Sequence, residues 1–171
     1  AGEELLAEAS EEAEILYVGK QGGDHTLSQE GINRLLIEKA GEGKKVVRLK
    51  GGDPFIFGRG AEEAEVFWNE GIHVEVVPGV TSAIAAPAYA GIPLTHRSHT
   101  SSVAFVTGHE DPTKELSSIH WKELADGVGT LVFLMGMRNL EKITENLIAG
   151  GLAPHTPVAL IRWGTTPRQQ T

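Results

Sequence analysis

The feature that most constrains the fold is the alternation of short apolar segments with longer amphipathic ones along the chain. A segment such as 130–135 (TLVFLM) is typical of a buried strand, and 139–151 (NLEKITENLIAGG) is typical of a helix that buries one face. The same criteria predict strands at 14–18, 44–50, 73–77, 102–108, 130–135 and 156–161, and helices at 3–10, 28–40, 60–71, 81–90, 120–126 and 139–151. Strands that alternate with helices indicate an α/β fold with parallel sheet.

The helix predicted at 28–40 has both a start signal and an apolar face. Thr26 and Gln29 have the spacing of a capping box, and Ile32, Leu35 and Leu36 recur at helical spacing. We expect this face to pack against the core.

A length of 171 residues allows one domain or two small ones. The charged connection 109–118 is the most favourable place for a change of sheet, so a boundary is expected around 97–118. We place an α/β domain at 1–97 and a second, partial α/β domain at 98–171.

Composition excludes several classes of site. The chain has no cysteine, which rules out disulfides, thiolate zinc sites, iron–sulfur clusters and cysteine nucleophiles. The net charge of −8 argues against a nucleic-acid partner, although residues 1–14 alone carry six acidic and no basic residues. No apolar run has the length of a membrane helix and the acidic N-terminus lacks a signal-peptide start, so we expect a soluble, cytoplasmic protein.

Three predicted strands end in turns of glycine and small residues, at 51–55, 78–83 and 135–137. Ligands of open α/β sheets bind beyond the carboxyl ends of the strands, so the cleft is expected at these turns. In the first turn, Gly51 and Gly52 would let the backbone approach a ligand, and Asp53 could accept hydrogen bonds. The alternative is an ordinary strand-to-loop turn. A phosphate-binding loop is excluded because no Gly-Lys-Ser/Thr follows, and Glu63 breaks the dinucleotide fingerprint.

Other candidate residues also have an ordinary structural alternative. Thr81 and Ser82 could contact a ligand or cap a helix. Met135 could contact a ligand, but core packing is the more common role of methionine. Lys20 could donate a proton or bind a carboxylate, or lie on the surface. No metal site is predicted, because the histidines lack carboxylates at ligand spacing.

Several long segments together resemble one family. In order they are YVGK (17–20), VVRLKGGDPFIFGRGAEEAE (46–65), VVPGVTSAIAAPAYAGIPLTHR (76–97), FVTGH (105–109), LVFLMGM (131–137) and RWGTTPRQQT (162–171). Over essentially the whole length, the chain resembles the uroporphyrinogen-III C-methyltransferases of the tetrapyrrole methylase family.

This resemblance implies two α/β domains around a ligand cleft, with parallel sheet in the first domain and a partial mixed sheet in the second. It also implies a homodimer with S-adenosyl-L-methionine as methyl donor and S-adenosyl-L-homocysteine as product. The implied reaction is two successive C-methylations of uroporphyrinogen III, giving precorrin-2 for sirohaem and cobalamin biosynthesis.

The resemblance also assigns site residues, position by position. Cofactor contacts fall on Gly51, Gly52, Asp53, Ile56, Thr81, Ser82, Met135 and Gly164. Lys20 matches a lysine that is a candidate catalytic proton donor. The substrate has eight carboxylates, for which the basic residues of the candidate cleft loops are suited, namely Lys50, Arg59, Arg97 and Arg168.

The family pattern extends beyond both ends of this sequence. It opens with a glycine-rich strand and loop and an aspartate proposed as proton acceptor, and it continues past the Thr-Thr-Pro-Arg-Gln segment. We therefore expect a fold that is incomplete at both termini and little methyltransferase activity of the 171-residue chain by itself. The alternative function is a module that binds S-adenosyl compounds or tetrapyrroles without turnover.

Overall fold

Five α-helices and two strands form in residues 3–19, 27–109 and 117–171, the parts of the chain that the computed structural model describes. The helices are α1 (Gln29–Gly41), α2 (Gly60–Asn69), α3 (Ser82–Tyr89), α4 (Trp121–Gly127) and α5 (Leu140–Ala149); the strands are β1 (Val103–Thr107) and β2 (Thr130–Leu134). Short 3-10 helices cover Glu3–Glu8 and Met137–Asn139. None of the helices in these ranges has the length and apolar character that crossing a membrane requires.

The chain packs as two compact units, Ala1–Gly79 and Val80–Thr171. This division describes packing alone, and the domain boundary placed at residue 97 stays a prediction.

In the first unit, α1 packs against α2 and buries Ile32, as its apolar pattern predicts. The helix begins differently from the predicted capping box. Ser28 is the N-cap, and its Oγ accepts a hydrogen bond from the N–H of Gly31 at 3.1 Å. The side chain of Gln29 donates to α2 instead, and Thr26 lies outside the described residues.

The strands predicted at 14–18, 44–50, 73–77 and 156–161 are wrong for this structure. Within the described residues, these segments have no strand ladder. Their apolar side chains are correspondingly open, with Val47 76%, Val77 77% and Val158 75% exposed. Alternating apolar residues make a strand only when a neighbouring strand accepts and donates the ladder hydrogen bonds.

The second unit contains the parallel sheet. Strands β1 and β2 pair in parallel, with Val103 opposite Thr130 and Thr107 opposite Leu134. Helix α5 packs on α4 and buries Ile143 and Leu147, while Val106 of β1 is also buried. The α/β class is confirmed, but the parallel pair lies in the second unit rather than the first. The resemblance implies a partial mixed sheet in this part of the chain. Among the described residues of this unit, antiparallel pairing is limited to isolated bridges at 96–100 and 162–170.

Candidate functional site

The turn after residue 50 is organised by the Asp53 carboxylate. Its Oδ1 accepts hydrogen bonds from the N–H groups of Phe55 at 2.8 Å and Ile56 at 3.1 Å, and its Oδ2 accepts from Gly79 N at 3.0 Å. These donors, with Gly79 first and Phe55 next, hold the pKa of Asp53 below its ordinary value. The carboxylate is therefore ionised at neutral pH and joins two of the predicted cleft turns.

Glycines at these two turns allow their backbones to touch. Gly52 has a φ of +71°, and a Cβ on Gly79 would collide with the carbonyl oxygen of Gly52. Gly51 has more space, because a Cβ there would meet no heavy atom of the described residues within 4 Å. One side of this turn is thus closed by backbone contact, while the Gly51 side is open to a ligand.

Two of the four predicted substrate-binding cations are held by carboxylates. Lys50 Nζ lies 2.8 Å from Oε2 of Glu63, and Arg59 Nη2 lies 2.7 Å from Oε2 of Glu62. Arg59 also has a φ of +59° where it precedes α2. Lys50 is mostly buried in its pair, whereas Arg59 is exposed.

Glu63 is a buried carboxylate beside the candidate turn that sequence analysis did not single out. It is 3% exposed, and its Oε1 accepts from Gln29 Nε2 at 3.0 Å and from Arg48 Nη2 at 3.4 Å, in addition to the Lys50 bond at Oε2. Burial raises the pKa of Glu63, but the hydrogen bonds from Lys50 and Gln29 and the charge of Arg48 outweigh it, so the pKa lies below its ordinary value. The sequence does hold a signal for its burial: Glu63 is three residues after Gly60 and four before Phe67, so all three lie on the same face of α2, the face that packs inward.

In the second unit, Thr81 has the ordinary structural role that its position suggested. Its hydroxyl accepts from Ala83 N at 3.3 Å as the N-cap of α3, and the residue is 5% exposed. Ser82, one residue further, is exposed. Of the two hydroxyls, that of Ser82 is therefore open to solvent.

Met135 follows β2 and is not a core residue. It is 58% exposed with a φ of +60°, so the interpretation of Met135 as core packing is wrong. The strand ends beside it are closed tightly: a Cβ on Gly108 would overlap Gly136 Cα, and Asn139 Nδ2 donates to Gly108 O at 2.6 Å. A bulky residue held in the left-handed region at the end of a strand is typical of a constrained functional turn.

The turn around Gly164 packs on α3. A Cβ on Gly164 would approach Ala86 Cβ to 2.5 Å, and the flanking residues Trp163 and Thr165 have φ of 50° and 69°. The guanidinium of Arg168 lies 5.0 Å from the centre of the Trp163 ring. Arg97 is exposed in the turn between the bridged residues 96 and 100.

The predicted site residues thus form two groups. The first unit contains Lys50, Gly51, Gly52, Asp53, Ile56 and Arg59, and the second contains Thr81, Ser82, Arg97, Met135, Gly164 and Arg168. Lys20 lies outside the described residues. A cleft of about 420 Å³ in the first unit is lined by Arg59 but by none of the predicted cofactor residues.

Comparison with known proteins identifies the class. The profile of the tetrapyrrole (corrin/porphyrin) methylases matches residues 2–171, and the chain therefore belongs to this family. The resemblance and the fold class inferred from the sequence are confirmed.

Two individual relatives have names that are more specific than that of the family. The chain is 57% identical, over 99% of its length, to the S-adenosyl-L-methionine-dependent uroporphyrinogen III methyltransferase of Methanosarcina barkeri. It is 52% identical, over 98% of its length, to a uroporphyrinogen-III C-methyltransferase of Bacillus subtilis. The chain spans 66% and 65% of these two relatives, just under two thirds.

A solved structure gives the same family likeness. The uroporphyrin-III C-methyltransferase of Thermus thermophilus, complexed with S-adenosyl homocysteine, superposes with a TM-score of 0.79 at 39% identity. The match covers 98% of this chain and 69% of that one.

Proposed function

We propose that this chain belongs to an enzyme that transfers methyl groups from S-adenosyl-L-methionine to two carbons of uroporphyrinogen III in succession, forming precorrin-2 for sirohaem and cobalamin biosynthesis. The observation that carries the proposal is identity of 52–57% along nearly the whole chain to methyltransferases of that name, with the Gly51–Asp53 turn open on one side.

The residues of the described chain fit the cofactor. Bound S-adenosylmethionine supplies an electrophilic methyl group, and the protein must chiefly hold donor and acceptor carbon at attack distance. We assign cofactor binding to Gly51, Gly52, Asp53, Ile56, Thr81, Ser82, Met135 and Gly164. The open side of Gly51 and the exposed side chains of Ser82 and Met135 suit contact with a ligand.

Substrate binding calls for cations. Arg97 and Arg168 are exposed guanidinium groups suited to bidentate contact with carboxylates. Arg59 and Lys50 reach a substrate carboxylate only in competition with Glu62 and Glu63. We therefore rank Arg97 and Arg168 first among the substrate contacts. Lys20 is assigned as proton donor during rearrangement of the methylated ring.

We further propose a homodimer that works in the cytoplasm and has no nucleic-acid partner. The family resemblance supports the dimer, as do exposed apolar residues such as Val80 at 70% and Tyr89 at 72%. Light scattering at micromolar concentration measures the mass directly, and a mass of one chain would contradict the dimer.

Titration and turnover together test the proposed reaction. S-adenosylhomocysteine is titrated into the 171-residue chain by calorimetry, and labelled methyl transfer from S-adenosylmethionine to uroporphyrinogen III is then followed. Binding with labelled precorrin-2 supports the methyltransferase. Binding with no labelled product favours the binding module instead. Absence of binding would contradict both.

Thr81 and Ser82 allow cofactor contact to be separated from helix capping. Ser82→Ala is expected to weaken S-adenosylhomocysteine binding about fivefold, the loss of one hydrogen bond, with no change in the free energy of unfolding. Thr81→Ala is expected to weaken binding and, in addition, to lower the free energy of unfolding by about 1 kcal/mol, because α3 loses its N-cap. Calorimetry and urea unfolding measure the two effects. Equal affinity of Ser82→Ala and wild type would remove Ser82 from the cofactor site.

A further inference from the structure

A buried carboxylate in the first unit has no part in the proposed chemistry. Glu63 of α2 is 3% exposed and takes hydrogen bonds from Lys50, Gln29 and Arg48. A buried charge is costly unless it is paired, so its presence on the inner face of α2 requires a compensating interaction. The shortest of its contacts is the 2.8 Å bond from Lys50 Nζ.

The location of Lys50 and Glu63 along the chain makes this bond distinctive. Lys50 immediately precedes Gly51, and Glu63 lies in the first turn of α2, which begins at Gly60 directly after the loop of residues 51–59. The ion pair therefore joins the residue before the loop to the first turn of the helix after it. Gly60 N, at the start of α2, donates to Pro54 O in the loop at 2.9 Å, and the Asp53 carboxylate accepts from Phe55 N and Ile56 N. Separate contacts thus fix the middle of the loop and the segments that flank it.

Arg48 is a natural comparison for Lys50. It also contacts Glu63, but at 3.4 Å, and its side chain is 29% exposed against 13% for Lys50. Arg48 lies two residues before Lys50 and does not adjoin the loop. Loss of either cation leaves Glu63 with one cation and Gln29, but only loss of Lys50 releases the start of the loop.

We propose that Glu63 is a positioning residue for the cofactor-binding turn: through Lys50 it holds Gly51, Gly52 and Asp53 in the conformation that receives the adenosyl ligand. This inference rests on the proposed function, since it assumes that the turn binds that ligand. Lys50 is accordingly a structural partner of the turn before it is a substrate contact.

The experiment compares Lys50→Met with Arg48→Met in calorimetric titrations with S-adenosylhomocysteine. No tetrapyrrole is present, so substrate contacts do not contribute. Lys50→Met is expected to weaken binding about tenfold, whereas Arg48→Met changes it less than about twofold. Lys50→Arg keeps the charge and is expected to restore most of the affinity. Glu63→Gln should match Lys50→Met, and Glu65→Gln, at an exposed position of the same helix, should match wild type.

Thermal unfolding of each variant separates positioning from stability. All titrations are run well below the unfolding midpoints, where a merely structural role leaves the dissociation constant unchanged. Lys50→Met keeps Glu63 paired with Arg48 and Gln29, so it remains testable if Glu63→Gln does not fold. Equal dissociation constants for Lys50→Met, Arg48→Met and wild type would overturn the positioning role alone. Failure of wild type to bind would overturn the proposed function together with it.

Discussion

Asp53→Ala is expected to weaken S-adenosylhomocysteine binding about 100-fold, because the turn that we propose to bind the cofactor loses its internal hydrogen bonds and its bond to the neighbouring turn with one side chain. The carboxylate accepts from two N–H groups within the turn and from Gly79 on the neighbouring turn. Without it, three backbone donors lose their acceptor, and the open Gly51 edge is no longer held in place. Calorimetric titration of the variant measures the effect directly.

Asp53→Asn is the matched variant for charge. It keeps the shape of the side chain but replaces one acceptor oxygen by an amide donor. The affinity for S-adenosylhomocysteine is expected to fall about tenfold. The pH dependence has a defined sign. The pKa of Asp53 is lowered in the folded protein. The ionised carboxylate therefore contributes fully to the free energy of unfolding above the ordinary carboxyl pKa, and this contribution is lost as the pH falls through the lowered value. Binding to Asp53→Ala as tight as to wild type would show that the turn does not receive the cofactor.

Local patterns in the sequence predict the helices well. The pattern around Ile32 predicts α1 to within about two residues, and helices α2, α3 and α5 also form within their predicted segments. Strands depend on distant partners, and this is where prediction fails. Segments 44–50 and 130–135 are both predicted as strands, but only the latter finds a parallel neighbour among the described residues. Segment 44–50 has three apolar and four basic residues, whereas 130–135 is apolar apart from Thr130, and neither composition reveals whether a partner strand is available.

The candidate site shows the same contrast between what a local sequence pattern predicts and what depends on distant residues. Residue types and resemblance single out Gly51–Asp53, and the structure adds how that turn is held. The bond from Gly79 N to Asp53 joins residues 26 apart, and the Lys50–Glu63 pair joins residues 13 apart. Both contacts depend on tertiary packing, so a local pattern cannot reveal them. Glu63 entered the sequence analysis only as a mismatch to a dinucleotide fingerprint.

In the second unit, Gly108→Ala is expected to lower the free energy of unfolding by about 3 kcal/mol, the upper end for an overpacked interior. The added Cβ would overlap Gly136 Cα and lie 2.7 Å from Gly136 N, both of them backbone atoms. Gly108 N also donates to Leu134 O at 2.7 Å, which keeps the two strand ends together. Relief would therefore require separation of β1 from β2 at the turn that carries Met135. Urea unfolding measures the loss.

Gly136→Ala is the matched control because it adds the same methyl group on the other side of this contact. Its Cβ would meet the end of the Ile143 side chain at 3.1 Å, so relief needs a small shift of a side-chain end rather than of backbone. Gly136→Ala is therefore expected to lower the free energy of unfolding by less than about 1 kcal/mol. If Gly108→Ala were no more destabilising than Gly136→Ala, the strand ends would not be in backbone contact. If the larger loss is found and S-adenosylhomocysteine binding also weakens, the closed strand ends support the left-handed turn at Met135 that we assign to the cofactor.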